Sequence, residues 1–155
     1  MNFIYEHIKK IESVNGSPHA RLILKLLFFE KSCRFNRFFR LLRVLIVQGI
    51  YHVEIDPRCL DIDGICSLRL PHPYNIIIHG DARIGSGCTI FQNVTIGARE
   101  KADGSSGVPF IGNGVFVGAG SVIVGGVKIG DEVRIGALSC ILRSVESGTV
   151  AGLVK

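Results

Sequence analysis

Residues 111–144 repeat every six positions, and no other feature constrains the fold of this chain as tightly. The stretch reads Ile-Gly-Asn-Gly-Val-Phe, Val-Gly-Ala-Gly-Ser-Val, Ile-Val-Gly-Gly-Val-Lys, Ile-Gly-Asp-Glu-Val-Arg, Ile-Gly-Ala-Leu-Ser-Cys, Ile-Leu-Arg-Ser. An aliphatic residue stands at Ile111, Val117, Ile123, Ile129, Ile135 and Ile141. Four places after each comes a small or β-branched one: Val115, Ser121, Val127, Val133 and Ser139. A period of six cannot keep residues on one helical face, whereas hexapeptide periods mark a parallel β-helix. Each hexad then supplies one short strand and one corner, and three hexads complete a triangular coil. The aliphatic residue points into the prism, and Gly, Asn and Asp serve corners that need positive φ.

The same register holds upstream at Ile78, Ile84, Ile90 and Ile96, with Ala82, Cys88 and Val94 in the small slots. The next aliphatic in register, Ile111, comes fifteen residues after Ile96. Fifteen is not a multiple of six, so residues 98–110 must leave the wall. In a solenoid such an insertion lies on the binding face. Val53-Glu54-Ile55-Asp56-Pro57 begins the coils, and the irregular alternation from there to Leu70 suits a first coil that caps the prism. The predicted organisation is a basic amphipathic helical segment over 1–50, then an all-β parallel β-helix over 51–155 with a loop excursion at 98–110.

The helical segment carries the charge. Residues 1–50 hold nine Lys or Arg against three Asp or Glu, and 51–155 hold nine against ten. Ile4, Ile8 and Ile11 predict a short amphipathic helix over 2–12, broken by Asn15-Gly16-Ser17-Pro18. A second helical region follows from about His19 to Gly49, interrupted near 32–36. In its later half Phe35, Phe38, Phe39, Leu42, Leu45, Ile46 and Gly49 share a face opposite Arg37, Arg40 and Arg43. Two readings fit: a packing helix with solvated arginines, or a basic interfacial helix over 34–49 that touches anionic lipid. No apolar run is long enough to cross a membrane. No basic reader motif marks a nucleic-acid surface. The five cysteines form no C-x-x-C pair and no zinc spacing, so no metal is expected. Cys88 and Cys140 read as core packing, and the odd count without a signal peptide suits a reducing cytoplasm.

The chemistry-bearing residues lie where the repeat breaks. Leu70-Pro71-His72-Pro73-Tyr74-Asn75-Ile76-Ile77-Ile78 precedes the regular coils, and Val94-Thr95-Ile96-Gly97 precedes the loop. With Val117-Gly118-Ala119-Gly120, Ile135-Gly136-Ala137 and Val150-Ala151-Gly152, these segments resemble the hexapeptide acyltransferases. The resemblance spans about residues 51–152. It is closest to the serine-acetyltransferase-like branch, including the small O-acetyltransferases of bacterial capsule and exopolysaccharide synthesis. It implies a left-handed β-helix, an exception to right-handed crossovers, assembled as a homotrimer with active sites between neighbouring prisms and acetyl-CoA as donor.

His72 matches the family's catalytic histidine. A hydroxyl is a poor nucleophile until a base takes its proton as it attacks the thioester, and imidazole can take that proton and return it to the leaving thiolate. The family's ring-orienting acid stands in a Val-acid-Ile-x-Pro segment, which Glu54 matches. The spacing to His72 is a few residues longer here, implying an insertion near 61–64, and Asp56 and Asp61 compete for the role. His79 is a weaker candidate base on an outward position. Pantetheine pairing along the prism wall would use Gly97, Ala98, Gly118, Ala119, Gly136 and Ala137, where small residues permit close approach. Lys128, Arg134, Arg143 and Lys155 are candidates for its phosphates. A backbone N–H near Gly97 or Ala98 is a candidate oxyanion donor.

Two departures bear on the acceptor. Serine acetyltransferases carry Asp before the catalytic histidine and an Arg-His-Pro triplet in the loop; this chain has Pro71 and Gly107-Val108-Pro109. Loss of a bidentate carboxylate clamp removes the basis for choosing an amino acid. The expected acceptor is therefore a sugar hydroxyl of surface-polysaccharide synthesis. Serine is second, and a non-catalytic β-helix scaffold third.

Overall fold

A computed structural model describes residues 2–33, 36–100 and 106–152. Phe35, loop residues 101–105 and Lys155 fall outside the described residues. Three helices open the chain: α1 (Asn2–Val14), α2 (Pro18–Ser32) and α3 (Asn36–Leu42). Ser17 caps α2 by accepting from the Ala20 amide, with Pro18 in the first turn where its missing N–H costs nothing. After α3 the backbone widens into a π-helical stretch, Arg43–Gln48, and ends in one turn at Gly49–Tyr51.

Three faces then wind upward. Strand β1 (Glu54–Ile55) starts the wall, and β2 (Ile77–Ile78), β3 (Arg83–Ile84) and β4 (Thr89–Ile90) form the first regular coil. The second coil starts with β5 (Thr95–Gly97), departs through a hairpin of β6 (Arg99–Glu100) and β7 (Ser106–Gly107), and returns with β8 (Phe110–Ile111) and β9 (Phe116–Val117). The third is β10 (Val122–Val124), β11 (Lys128–Ile129) and β12 (Arg134–Ile135); β13 (Cys140–Ile141) and β14 (Val150–Ala151) belong to the fourth. Face one stacks β1, β2, β5, β10 and β13; face two stacks β3, β8 and β11; face three stacks β4, β9, β12 and β14. Every pair in these faces is parallel. The predicted hexads are the coils.

Register explains the repeat. Ile78 lies against Ile96, Ile96 against Ile123, and Ile123 against Ile141. Ile84, Ile111 and Ile129 make the second ladder, and Ile90, Val117 and Ile135 the third. All ten side chains are buried, each worth about 1.5–3 kcal/mol against exposure. The residue before each points outward: Ile77, Arg83, Phe110, Lys128 and Arg134 line the surface. Cys140 follows this alternation. It sits one place beyond its small slot and is exposed, so the core role expected for it is wrong, while Cys88 is buried as expected.

The irregular first coil holds a short helix, α4 (Ile62–Ser67), capped by Asp61. It closes the end of the prism together with α2, whose Leu24, Leu27 and Phe28 are fully buried. The helical segment also differs from its expected face. Arg43 is buried rather than solvated, bound to Glu30 at 2.6 Å and to the Ile55 carbonyl at 3.2 Å. Phe38 and Leu45, expected to pack, are exposed. Past Arg43 the π turns add residues per turn and rotate the following side chains, so a simple helical projection does not carry through to Leu45. Among the described residues no helix is long and apolar enough to cross a membrane.

Candidate active site

The loop carrying His72 is built from its ends. Arg69 bridges Thr89 in parallel and extends face three by one residue pair, through Arg69 N–H to Cys88 O and Ile90 N–H to Arg69 O, both 2.9 Å. Leu70 and Pro73 are buried. The chain then rounds the corner between faces three and one. At Asn75, φ is 51°, its amide donates to Tyr51 O at 3.1 Å, and its side chain donates to Asn93 Oδ1 at 3.2 Å. Asn tolerates this left-handed conformation better than most residues.

His72 projects from that corner and is exposed, its ring centroid 6.2 Å from that of Phe91. Phe91 lies 5.3 Å from Phe116, and the Arg134 guanidinium stacks 4.8 Å above the Phe116 ring. Below Pro71 a groove of about 850 Å³ runs along face three, between Arg69, Phe91, Phe116 and Arg134 and the α1–α2 turn. Sequence reasoning missed this aromatic floor. Phe91 and Phe116 follow or occupy outward positions of adjacent coils, and their alignment is visible only once the loop excursion is removed from the register.

Glu54 stands on face one, paired in register with Ile77, its amide donating to Ile76 O at 2.7 Å. Its carboxylate is exposed beside a depression of about 340 Å³ that it shares with Gln48, His52 and Asn75. His72 and Glu54 thus flank the corner ending at Asn75, and no hydrogen bond joins them among the described residues. The competing acids have structural work. Asp56 caps a 3-10 turn and pairs with Arg58 at 3.1 Å. Burial pushes its carboxyl upward, but the Arg58 hydrogen bonds outweigh this and hold it below the usual carboxylate range. Asp61 accepts the Gly64 amide at the start of α4, the insertion expected near 61–64. His79 accepts from the Asp81 amide at 3.2 Å on the far corner.

The expected coenzyme residues divide between two corners. Gly118, Ala119, Gly136 and Ala137 share the His72 corner, whereas Gly97, Ala98 and Arg143 lie beyond the opposite edge of face one and Lys128 on face two. Gly118 is buried, and a Cβ there would come 2.5 Å from the Ala137 amide nitrogen. Coil stacking therefore already requires this glycine. Gly97 and Gly136 have ordinary room, and Ala98, Ala137, Lys128 and Arg143 are exposed.

The hairpin corrects the reasoning about the acceptor. A Cβ at Gly107 would come 2.5 Å from the Gly126 nitrogen, so this position cannot carry an arginine without moving the backbone. Packing of the hairpin on the wall also accounts for Gly107, so the acceptor cannot be read from it. Comparison with known proteins bears on the point. Residues 109–143 match the family "Bacterial transferase hexapeptide (six repeats)". A serine acetyltransferase of Synechococcus elongatus is 40% identical over 102 residues, covering 65% of this chain and 40% of that protein. A serine acetyltransferase of Helicobacter pylori is 34% identical over 118 residues, covering 75% of this chain and 67% of that protein. Among solved structures, serine acetyltransferase isoform 3 of Entamoeba histolytica, in complex with cysteine, superposes with a TM-score of 0.74 at 22% identity, over 99% of this chain and 59% of that one. These relatives overturn the expectation of a sugar acceptor, and nothing among them supports closeness to capsule enzymes. The chain spans between two-fifths and two-thirds of the length of the curated relatives it matches. With coils and sequence relatives in agreement, the chain belongs to the serine acetyltransferase family.

Proposed function

We propose that this chain is an O-acetyltransferase that moves the acetyl group of acetyl-CoA directly to the hydroxyl of L-serine. The observation that carries the reading is the 118-residue match to a serine acetyltransferase at 34% identity, because it runs through the corner that presents His72. His72 takes the serine hydroxyl proton as that oxygen attacks the thioester carbonyl carbon. The C–S bond then breaks, and the same imidazole returns the proton to the coenzyme thiolate. Glu54 is the acid that stabilises the imidazolium, since Asp56 and Asp61 are occupied as caps.

The wall is a left-handed β-helix, and the working unit is a homotrimer. The two-corner distribution of Gly97, Ala98 and Arg143 against Gly118, Ala119, Gly136 and Ala137 supports this. One prism cannot gather both sets around a single coenzyme, whereas apposed corners of two prisms can. The helical segment over 1–50 and the coils over 51–155 act as one catalytic unit.

The test is steady-state turnover of acetyl-CoA with serine and, separately, with capsular sugars. Serine is expected to be acetylated, and His72→Ala to lower kcat about 10²- to 10⁴-fold, the usual contribution of a general base. Full activity in His72→Ala, or no turnover of serine, would overturn the reading.

A further inference from the structure

One buried polar side chain that reaches the His72 loop comes from outside the coils. Asn15, in the turn between α1 and α2, is only 4% exposed. Its Nδ2 donates to Leu68 O at 2.9 Å, and its Oδ1 accepts from Leu70 N–H at 3.0 Å. The side-chain amide thus pairs with Leu68 and Leu70 as a neighbouring strand would, at the edge of face three where no further coil exists. Asn15 is itself fixed at both main-chain groups. Its N–H donates to Ile11 O at 3.3 Å, and its carbonyl accepts from Arg21 Nε at 2.7 Å.

The far end of the same loop is held from the helical segment too. Tyr51 O accepts the Asn75 amide at 3.1 Å, and the Tyr51 hydroxyl lies 2.6 Å from His19 Nδ1. Between these anchors His72 is exposed and has no side-chain hydrogen bond among the described residues. Its placement therefore depends on where the ends of the loop are tied.

We infer that Asn15 is a positioning residue for His72, through which the α1–α2 turn sets the height of the catalytic loop over the coils. This inference rests on the proposed role of His72. Misplacing a catalytic group by about an ångström can cost on the order of 10²-fold in rate, and losing the amide pairing frees Leu70, two residues from the base. Asn15→Ala removes these two hydrogen bonds and a third, from Nδ2 to Ile11 O at 3.4 Å, whereas Asn15→Asp keeps the acceptor and loses the donor.

The experiment measures kcat and KM of the full chain with acetyl-CoA and serine. Rates are expressed per active site counted by coenzyme A calorimetry, and folding is checked by circular dichroism. The expected result is a 10- to 100-fold fall in kcat for Asn15→Ala and a smaller fall for Asn15→Asp, with the KM for acetyl-CoA within twofold. A residue that only supports the fold would lower the melting temperature and the number of sites while leaving kcat per site unchanged, and that result overturns the inference. Should neither Asn15 variant fold, Arg21→Ala decides, since it loosens Asn15 from a half-buried position. A threefold or larger fall in kcat at constant KM supports the inference, and no change overturns it. His72→Ala separates the two claims. An active His72→Ala overturns both, whereas an inactive His72→Ala beside a normal Asn15→Ala overturns this one alone.

Discussion

Replacing Arg43 tests the least expected contact in the helical segment. Its side chain is 6% exposed and that of Glu30 is 12%, with Nε and Oε2 2.6 Å apart. Arg43→Met removes the cation, leaves a nearly buried carboxylate without its partner, and deprives the Ile55 carbonyl of a donor. Breaking a buried ion pair from one side costs about 3–5 kcal/mol. Glu30 keeps a little contact with water, so the lower end, about 3 kcal/mol, is expected. For a chain of this size 1 kcal/mol moves the melting temperature by roughly 2–4 °C, giving a fall of about 9 °C. Removing both charges in Glu30→Leu/Arg43→Met leaves no orphan, and the double variant is expected within about 1 kcal/mol of wild type. The coupling, the double-variant cost less those of both single variants, is then at least about 2 kcal/mol in magnitude, as contacting residues show. Thermal unfolding followed by circular dichroism at one fixed protein concentration reads all four corners of the cycle; a fixed concentration matters because association shifts apparent stability. A single-variant shift below about 2 °C would return Arg43 to the solvated surface and refute the buried pair.

Two further outcomes follow from corners and thiols. Leu138 holds a left-handed conformation at φ 58° while 74% exposed, in a corner row otherwise made by Asn75, Asn93 and Gly120. Leu138→Gly relieves about 1–2 kcal/mol of strain and adds about 0.5–1 kcal/mol of chain entropy cost, so melting is expected to rise slightly. Leu142→Gly, where φ is not positive, is expected to lower it, and a large fall at Leu138 would show that φ is not what governs the site. Burial pushes the Cys59 thiol up to about 12 and those of Cys66 and Cys88 to about 11, whereas Cys140 is exposed. Iodoacetamide at neutral pH, read by peptide mass spectrometry, is expected to label Cys140 first and those three only on unfolding. Early labelling of Cys59 would contradict the packing of the first coil.

The coils were legible because the rule behind them is local. Each aliphatic residue meets its counterparts in the neighbouring coils, so the pattern at Ile111, Ile129 and Ile84 is written in spacing alone. The corner position of His72 follows from its place between the irregular first coil and the first regular strand. What remained hidden depends on long-range contact. Arg43 turns inward to Glu30 on α2 and to the Ile55 carbonyl, partners that no periodicity announces. Asn15 lies in an Asn-Gly-Ser-Pro stretch that reads only as a helix breaker, yet its partners are more than fifty residues away. The mistaken acceptor has a related origin. Gly107 was read as a lost substrate contact, when the backbone of Gly126 leaves it no room for a side chain.

The hairpin that leaves the wall has a consequence for how freely this site can change. Ile96 and Ile123 are stacked partners separated by 27 residues, where Ile78 and Ile96, or Ile123 and Ile141, are separated by 18. By the logarithmic law for closing a chain segment, stretching that interval from 18 to 27 residues costs only about 0.4 kcal/mol. The same ladder loses far more if one isoleucine is truncated, about 2–5 kcal/mol for Ile→Ala. Length of the excursion is therefore nearly invisible to folding, while the hexad positions, and Gly107 where the hairpin packs on the wall, are held fast. Descendants of such a chain can lengthen or shorten that segment without endangering the prism.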